Sequence, residues 1–132
     1  MSKIKYRDGY KYQLVETYTH NTEIQGLYVS TKFISLTPTG KLIIHEGYAY
    51  DGPSGPTFDT KDSMRGALVH DALYQLMREN LIPRTWKPYA DKLLHDICVE
   101  DGMLHIRADI WEKAVEIFGF EGLKQDEVHE AP

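Results

Sequence analysis

The hydrophobic periodicity of this chain changes once, near residue 60, and this change constrains the fold more than any other feature. Before it, short tyrosine-rich and β-branched runs are typical of strands. After it, apolar residues recur at helical spacing. The sequence therefore predicts an α+β fold, in which an N-terminal antiparallel β-meander of short strands is followed by three helices. At 132 residues the chain suits a single domain, predicted over residues 1–120.

The strand prediction depends on turn residues that separate short apolar runs. Pro38-Thr39-Gly40 is typical of the turn in a hairpin, so the runs on either side of it are expected to pair. The predicted strands are Lys11–Tyr18, Leu27–Val29, Phe33–Leu36, Lys41–His45 and Tyr48–Tyr50.

Two helices are predicted next, with their ends marked by capping residues and proline. The first begins after Asp59 or Thr60 and ends at Asn80. The second runs from Trp86 to Asp101, with Thr85 as its cap, Pro88 in its first turn and Gly102 as its stop. We expect these two helices to lie antiparallel and to carry the functional site.

A third helix is predicted from Ile106 to Phe118, ending at Gly119. Its buried face is expected to be the stripe of Ile110, Ala114 and Ile117, widened by Trp111, Val115 and Phe118. Residues 121–132 are acidic, offer little to bury and are predicted to form a C-terminal tail.

Composition excludes several classes of function. The net charge of −5 and the absence of a Lys/Arg cluster disfavour a nucleic acid or an anionic membrane as partner. No apolar stretch reaches the length of a membrane span, and the N-terminus lacks the apolar run of a secretion signal, so neither an integral membrane protein nor a secreted one is expected. Cys98, the single cysteine, is predicted to be a small buried hydrophobe.

The strongest indication of chemistry lies on the first helix. His70 and Tyr74 are four residues apart and share a face, whereas Asp71 is rotated by about 100° from His70. An imidazole serves as a general base near neutral pH when a carboxylate holds its other nitrogen. If the first two helices are antiparallel, Asp91 is the candidate for that carboxylate.

A Gly/Pro-rich loop, Tyr50 to Pro56, precedes this helix and is suited to a cation. Calcium prefers six to eight oxygen ligands, many of them backbone carbonyls. Gly52 and Gly55 allow carbonyls to turn inward, and Asp51 and Asp71 offer carboxylates. The sequence thus predicts a calcium site between the loop and the helix.

These residues resemble two known groups of proteins. Across nearly the whole chain, the sequence looks like a family of small phage and prophage proteins of unassigned function. The resemblance rests on the loop ending in Tyr50-Asp51-Gly52-Pro53-Ser54, Arg65, His70-Asp71-Ala72-Leu73-Tyr74, Ala90-Asp91 and the helix from Trp111 to Gly119. From Tyr48 to Cys98, the pattern is similar to the phospholipase A2 superfamily, especially the disulfide-free domains of parvovirus capsid proteins.

The second resemblance implies a set of roles. His70 would activate water, Tyr74 and Asp91 would support His70, and Asp71 would bind calcium together with Gly52 and Gly55. The implied reaction is calcium-dependent hydrolysis of a glycerophospholipid ester. The first resemblance implies a phage protein in the host cytoplasm or the virion, with other virion proteins as alternative partners to phospholipid.

Three other interpretations remain open. His70, Tyr74 and Asp91 are also compatible with a structural network in a virion or assembly component, or in a protein that binds a host protein. A transition-metal site would use His70, Asp71, Asp91 and His95. A triad of Ser54, His70 and Asp91 is conceivable, although Ser54 lacks the Gly-x-Ser-x-Gly elbow.

Overall fold

The computed structural model describes residue 4, residues 6–7, 12–50 and 61–119, and residue 123. It confirms the α+β class, because an antiparallel strand region precedes three helices. The strands are β1 (Tyr6–Arg7), β2 (Tyr12–Leu14), β3 (Tyr18–Asn21), β4 (Val29–Ser30), β5 (Ile34–Leu36), β6 (Lys41–Ile44) and β7 (Ala49–Tyr50). The helices are α1 (Lys61–Arg78), α2 (Lys87–Glu100) and α3 (His105–Phe118).

The strands form two antiparallel sheets. One has the order β1-β2-β7 and the other the order β3-β6-β5-β4. In the larger sheet Ile44 is opposite Tyr18 on one side and Ile34 on the other, and all three side chains are buried. The predicted hairpin at Pro38-Thr39-Gly40 joins β5 to β6, and Gly40 has a φ of 97°, which favours glycine.

The prediction of one strand from Lys11 to Tyr18 was wrong, although Lys11 itself lies outside the described residues. The chain passes from β2 in one sheet to β3 in the other through a bend at residues 15–17. The opposite chain bends at the same level, where Gly47 has a φ of 93° and its N–H donates to the carbonyl of Leu14 at 2.7 Å. The alternation of buried and exposed side chains is interrupted at this bend, because Glu16 is exposed although it is in phase with the buried Leu14 and Tyr18. The other predicted strands are correct to within one or two residues, and neither β1 nor the part of β3 after Tyr18 was predicted.

The helices begin and end close to the predicted positions. The predicted caps of α1, Asp59 and Thr60, lie outside the described residues. Thr85 does not cap α2, because a short 3₁₀ turn from Arg84 to Trp86 precedes that helix. Pro88 lies in the first turn of α2 as predicted, and Gly102 stops the helix with a φ of 106°.

The main core lies between α1 and the sheets. Residues of α1 that pack there include Leu68, Val69, Leu73 and Leu76, all buried against sheet residues such as Ile34, Leu42 and Ile44. A second, smaller apolar cluster lies between α2 and α3 and comprises Leu94, Cys98, Met103, Ala108 and Trp111.

The predicted central stripe of the buried face of α3, Ile110, Ala114 and Ile117, was wrong, whereas Trp111 and Val115 from its predicted edge do pack inward. The helix packs through Ala108 and Trp111, with Val115 partly buried, while Ile110, Ile117 and Phe118 are exposed. The helix carries apolar residues on two opposite faces, and only tertiary packing decides which of them is buried.

The end of the chain is described only in part. Leu123 is buried, and its carbonyl accepts a hydrogen bond from the guanidinium of Arg84 at 2.9 Å. This residue of the predicted tail therefore packs on the main core. The rest of residues 121–132 lies outside the described residues.

Candidate functional site

Helices α1 and α2 approach each other closely enough to bring their polar side chains into direct contact. A Cβ added at Gly66 would lie 2.8 Å from Cys98 Sγ, so glycine at this position allows the close approach. Gly66 lies against Leu94 and Cys98, whereas His70, one turn later in α1, contacts Asp91, which comes earlier in α2. The two helices therefore run in opposite directions. The predicted antiparallel pair of helices is confirmed. Burial raises the pKa of the Cys98 thiol to about 12, so this cysteine is unreactive.

The two residues predicted to form the centre of the site are in contact. His70 Nε2 lies 2.9 Å from Asp91 Oδ1, and both side chains are almost completely buried, with the whole residues 7% and 1% exposed. In the neutral imidazole this contact requires a proton on Nε2, since an ionised carboxylate only accepts hydrogen bonds. Asp91 therefore selects the tautomer in which the other ring nitrogen, Nδ1, is a proton acceptor.

Tyr74 completes the arrangement on the same carboxylate oxygen. Its hydroxyl donates to Asp91 Oδ1 at 2.5 Å, and its ring centroid lies 4.0 Å from that of His70. Both side chains project from one face of α1 because they are four residues apart. A Cβ at Gly119 would collide with the Tyr74 hydroxyl, so the end of α3 closes this side of the cluster.

Lys87 is a fourth member of the cluster that sequence analysis missed. Its Nζ donates to Asp91 Oδ2 at 2.7 Å and to the carbonyls of Val115 and Glu116 at 3.2 Å each. The lysine is buried, one helical turn before Asp91 on α2. It neutralises the carboxylate and places a positive charge against the last carbonyls of α3, where the helix dipole favours a cation.

The pKa values of the cluster follow from burial and from these contacts. Burial opposes protonation of His70, but the charges of Asp71 and Asp91 outweigh it, and the pKa of His70 is raised. Burial also opposes ionisation of Asp91, but hydrogen bonds from His70, Lys87 and Tyr74 outweigh it, and the pKa of Asp91 is lowered. Burial and the neighbouring Asp91 raise the pKa of Tyr74, so the phenol remains a donor.

The remaining nitrogen of His70 lies on the side of Asp71. Asp71 Oδ1 is 3.9 Å from His70 Nδ1, which is too long for a hydrogen bond, so Asp71 acts on the imidazole as a nearby charge. Among the described residues, no hydrogen bond to Nδ1 is found. The predicted loop residues Asp51, Gly52 and Gly55 lie outside the described residues, as does Ser54 of the alternative triad.

The transition-metal interpretation receives no support from the position of His95. Its two ring nitrogens lie 2.9 Å from Asp96 Oδ1 and 2.7 Å from Asp109 Oδ1, near the surface and not at His70. Within the described part of the chain, no group of three His, Cys, Asp or Glu side chains is arranged to hold a metal ion.

A second buried ionic cluster surrounds Arg65, and it too was missed. The guanidinium donates to both oxygens of Asp101, to Glu100 at 2.7 Å and to the hydroxyl of Tyr18 at 2.9 Å. Tyr18 in turn contacts His20 Nδ1 at 2.9 Å. This cluster joins β3, α1 and the end of α2.

Spacing alone offers a signal for one of the two missed residues. Lys87 and Asp91 are four apart on a predicted helix, which is the spacing of an ion pair. Arg65 and Asp101 are far apart in the sequence, and only the packing of α1 on the end of α2 brings them together.

Comparisons with known proteins do not identify this chain. No protein-family model matches it, and neither a curated protein nor a solved structure does. In the part of the chain that the structure describes, none of the helices is both long and apolar enough to cross a lipid bilayer.

Proposed function

We propose that this protein is a hydrolase in which His70 activates water for attack on a phospholipid ester. One observation carries the proposal: Asp91 Oδ1 accepts hydrogen bonds from both His70 Nε2 and Tyr74. A carboxylate behind the imidazole fixes the tautomer and stabilises the imidazolium that forms when the ring accepts a proton. The phospholipase A2 resemblance assigns these same three residues to this task.

In the proposed reaction, His70 Nδ1 takes a proton from water as the water oxygen attacks the ester carbonyl. The ester C–O bond then breaks, and the imidazolium returns the proton to the departing alkoxide of the lysophospholipid. The products are a fatty acid and the lysophospholipid. Because the pKa of His70 is raised, the reactive neutral imidazole is formed only above the ordinary pKa of histidine. We therefore expect activity to increase as the pH rises above that ordinary value.

Asp71 is the described residue best suited to bind calcium. Its side chain is about one-third exposed, it lies beside His70 Nδ1, and a carboxylate is a preferred ligand of calcium. Asp51, Gly52 and Gly55 would supply the other protein ligands. Calcium bound there would stabilise negative charge on the ester oxygen during attack.

A second candidate function is favoured by Lys87. Because Lys87 pairs with the second oxygen of Asp91 and with two carbonyls of α3, the cluster has the contacts of a neutralised interior network. On this basis the protein would be a non-enzymatic virion or assembly component, or a protein that binds a host protein.

Release of fatty acid from phospholipid vesicles of several headgroups, with calcium or a chelator, distinguishes the two. For the hydrolase we expect turnover that requires calcium and that His70→Gln lowers by about 10²–10⁴-fold, with the fold retained by circular dichroism. His105→Gln is the matched control, because His105 is exposed at the start of α3. Calcium should also raise the Tm of the wild type but not that of Asp71→Asn.

The contrary outcome is equally definite. Absence of turnover with every headgroup, together with a lower Tm for His70→Gln, would remove the hydrolase and leave the structural network.

A further inference from the structure

The outer face of α3 is the largest concentration of exposed apolar side chains in the described residues. Of seven large hydrophobic residues that are exposed there, five belong to α3 or immediately precede it. Three of these residues, each between 57 and 76% exposed, form what we call the α3 outer face: Ile106, Ile110 and Ile117. Leu104 precedes the helix, and Phe118 lies seven residues after Trp111 and therefore near the inner face.

Three isoleucines give this face the geometry of a helix-packing surface. Ile106, Ile110 and Ile117 are separated by four and then seven residues, so at about 100° per residue they lie within about 40° of one another. They are opposite the inner face, where Ala108 and Trp111 pack on α2. A helix that is apolar on two opposite faces is usually covered on both.

Residues 124–132 have a composition that is poorly suited to covering this face. Residues 124–132 are mostly polar and acidic, with Val128 as the one large aliphatic residue. Just before them, Leu123 is held in the main core, and its carbonyl accepts from Arg84. A membrane surface also fits poorly, because helices that lie on membranes have a polar side rich in Lys and Arg. The charged residues of α3 are mostly acidic, with two basic residues, Arg107 and Lys113, against Asp109, Glu112 and Glu116.

We propose that the α3 outer face binds a second copy of this chain in an antiparallel, two-fold symmetric dimer. In this arrangement Ile106 of one copy packs on Ile117 of the other, and Ile110 packs on the aliphatic stem of Lys113. The ammonium of Lys113 then lies level with Asp109 of the second copy, and symmetry produces this opposite-charge contact twice. The proposal does not depend on the proposed function.

The available area sets the expected strength of the dimer. At about 100 Å² of removable apolar surface for each isoleucine, three side chains on each copy bury roughly 600 Å² in total, to which the stem of Lys113 adds. This is below the size of a stable interface, so we expect a weak, reversible dimer with a Kd on the order of hundreds of micromolar.

Sedimentation velocity of the full chain from about 5 to about 500 µM tests the dimer. The mass should rise from 15.2 kDa toward twice that value. Ile110→Asp should weaken association by at least about 30-fold without lowering the Tm, because Ile110 is exposed in the single copy. Tyr28→Asp is the matched control, since Tyr28 is an exposed large side chain outside α3, and it should dimerise normally.

Disulfide trapping tests the orientation. Residues 106 and 117 lie about 16 Å apart along the helix, so an antiparallel pair cross-links Ile106→Cys with Ile117→Cys but neither variant with itself. The native Cys98 is buried and does not interfere.

Three outcomes would overturn the proposal. They are a monomer at the highest concentration, cross-linking of Ile106→Cys with itself, or an Ile110→Asp variant that dimerises as the wild type does. Binding of the wild type but not of Ile110→Asp to neutral phosphatidylcholine vesicles, with no dimer in solution, would assign the face to lipid instead.

Discussion

Arg65 and His70 lie about one and a half turns apart on α1, and each is buried against a carboxylate from α2 or its end. Two nitrogens of the Arg65 guanidinium donate hydrogen bonds to Asp101, and the guanidinium also pairs with Glu100, whose side chain is 57% exposed. His70 instead contacts Asp91, and both Asp91 and its partner Lys87 are buried.

The two clusters differ in whether a proton can move. A guanidinium remains charged at every pH at which the protein folds, so Arg65 itself has one ionic form. An imidazole exists in a charged and a neutral form, and the raised pKa of His70 favours the charged one, so the His70 cluster has two ionic forms. The same pair of helices thus holds one cluster suited only to joining elements and one that is also suited to acid–base chemistry.

The largest effect is expected from Asp91→Asn. It leaves the buried ammonium of Lys87 without its counter-charge and weakens the contacts to His70 and Tyr74, so we expect a loss of about 3–5 kcal/mol in the free energy of unfolding. Urea unfolding followed by circular dichroism measures it. Asp96→Asn is the control, because Asp96 is half exposed, and it should cost at most about 0.5 kcal/mol. A loss below about 1 kcal/mol for Asp91→Asn would contradict the buried ionic network.

A smaller effect is expected from Arg65→Lys, which keeps the charge but loses the planar fork. Lysine cannot bind both oxygens of Asp101 and still reach Tyr18, so we expect a loss of about 1–3 kcal/mol. The loss should be the same at pH 6 and pH 9, because neither side chain releases its proton there. If the loss in free energy of unfolding differed strongly between pH 6 and pH 9, the Arg65 and His70 clusters would not differ in their response to pH as described.

The smallest effect is the pH dependence that His70 contributes. Because the pKa of His70 is raised in the folded protein, protonated His70 stabilises the fold fully below the ordinary pKa of 6.5. This contribution is lost as the pH rises through the pKa that His70 has in the folded protein. Asp91, whose pKa is lowered, contributes above its ordinary value of 3.8 and loses this contribution as the pH falls. The His70–Asp91 contact therefore stabilises most between about pH 4 and pH 6.5.

Comparing the wild type with His70→Gln by urea unfolding from pH 5 to pH 9 measures this contribution. The difference in free energy of unfolding between the two proteins should narrow as the pH rises above 6.5. A constant difference across this range would mean that His70 does not change charge in the folded protein.

The contacts of His70 were predictable because they depend on local spacing and one simple tertiary assumption. His70 and Tyr74 share a face by helical periodicity, and two successive helices joined by a short connection pack antiparallel, which places Asp91 within reach. Lys87 required only the spacing to Asp91.

Other features depend on choices that the sequence leaves open. Both faces of α3 are apolar, so Trp111 and Ile110 were equally reasonable as buried residues until α2 provided a surface for one of them. The contacts of Arg65 with Tyr18 and Asp101 require the relative placement of a sheet and two helices, which no local pattern encodes. The bend between β2 and β3 has one local signal, since the exposed Glu16 is in phase with the buried Leu14 and Tyr18.

Gly119 limits which amino acids evolution or a designer could place at the end of α3. Its φ of −65° is accessible to any residue, unlike that of Gly102, so backbone conformation does not explain the glycine. A methyl group there would meet both the Tyr74 hydroxyl and the carbonyl of Val115. In a library of variants at position 119, we therefore expect steric clashes to disfavour every residue larger than glycine. The absence of a side chain at Gly119 leaves room for the Tyr74 hydroxyl to point toward Asp91.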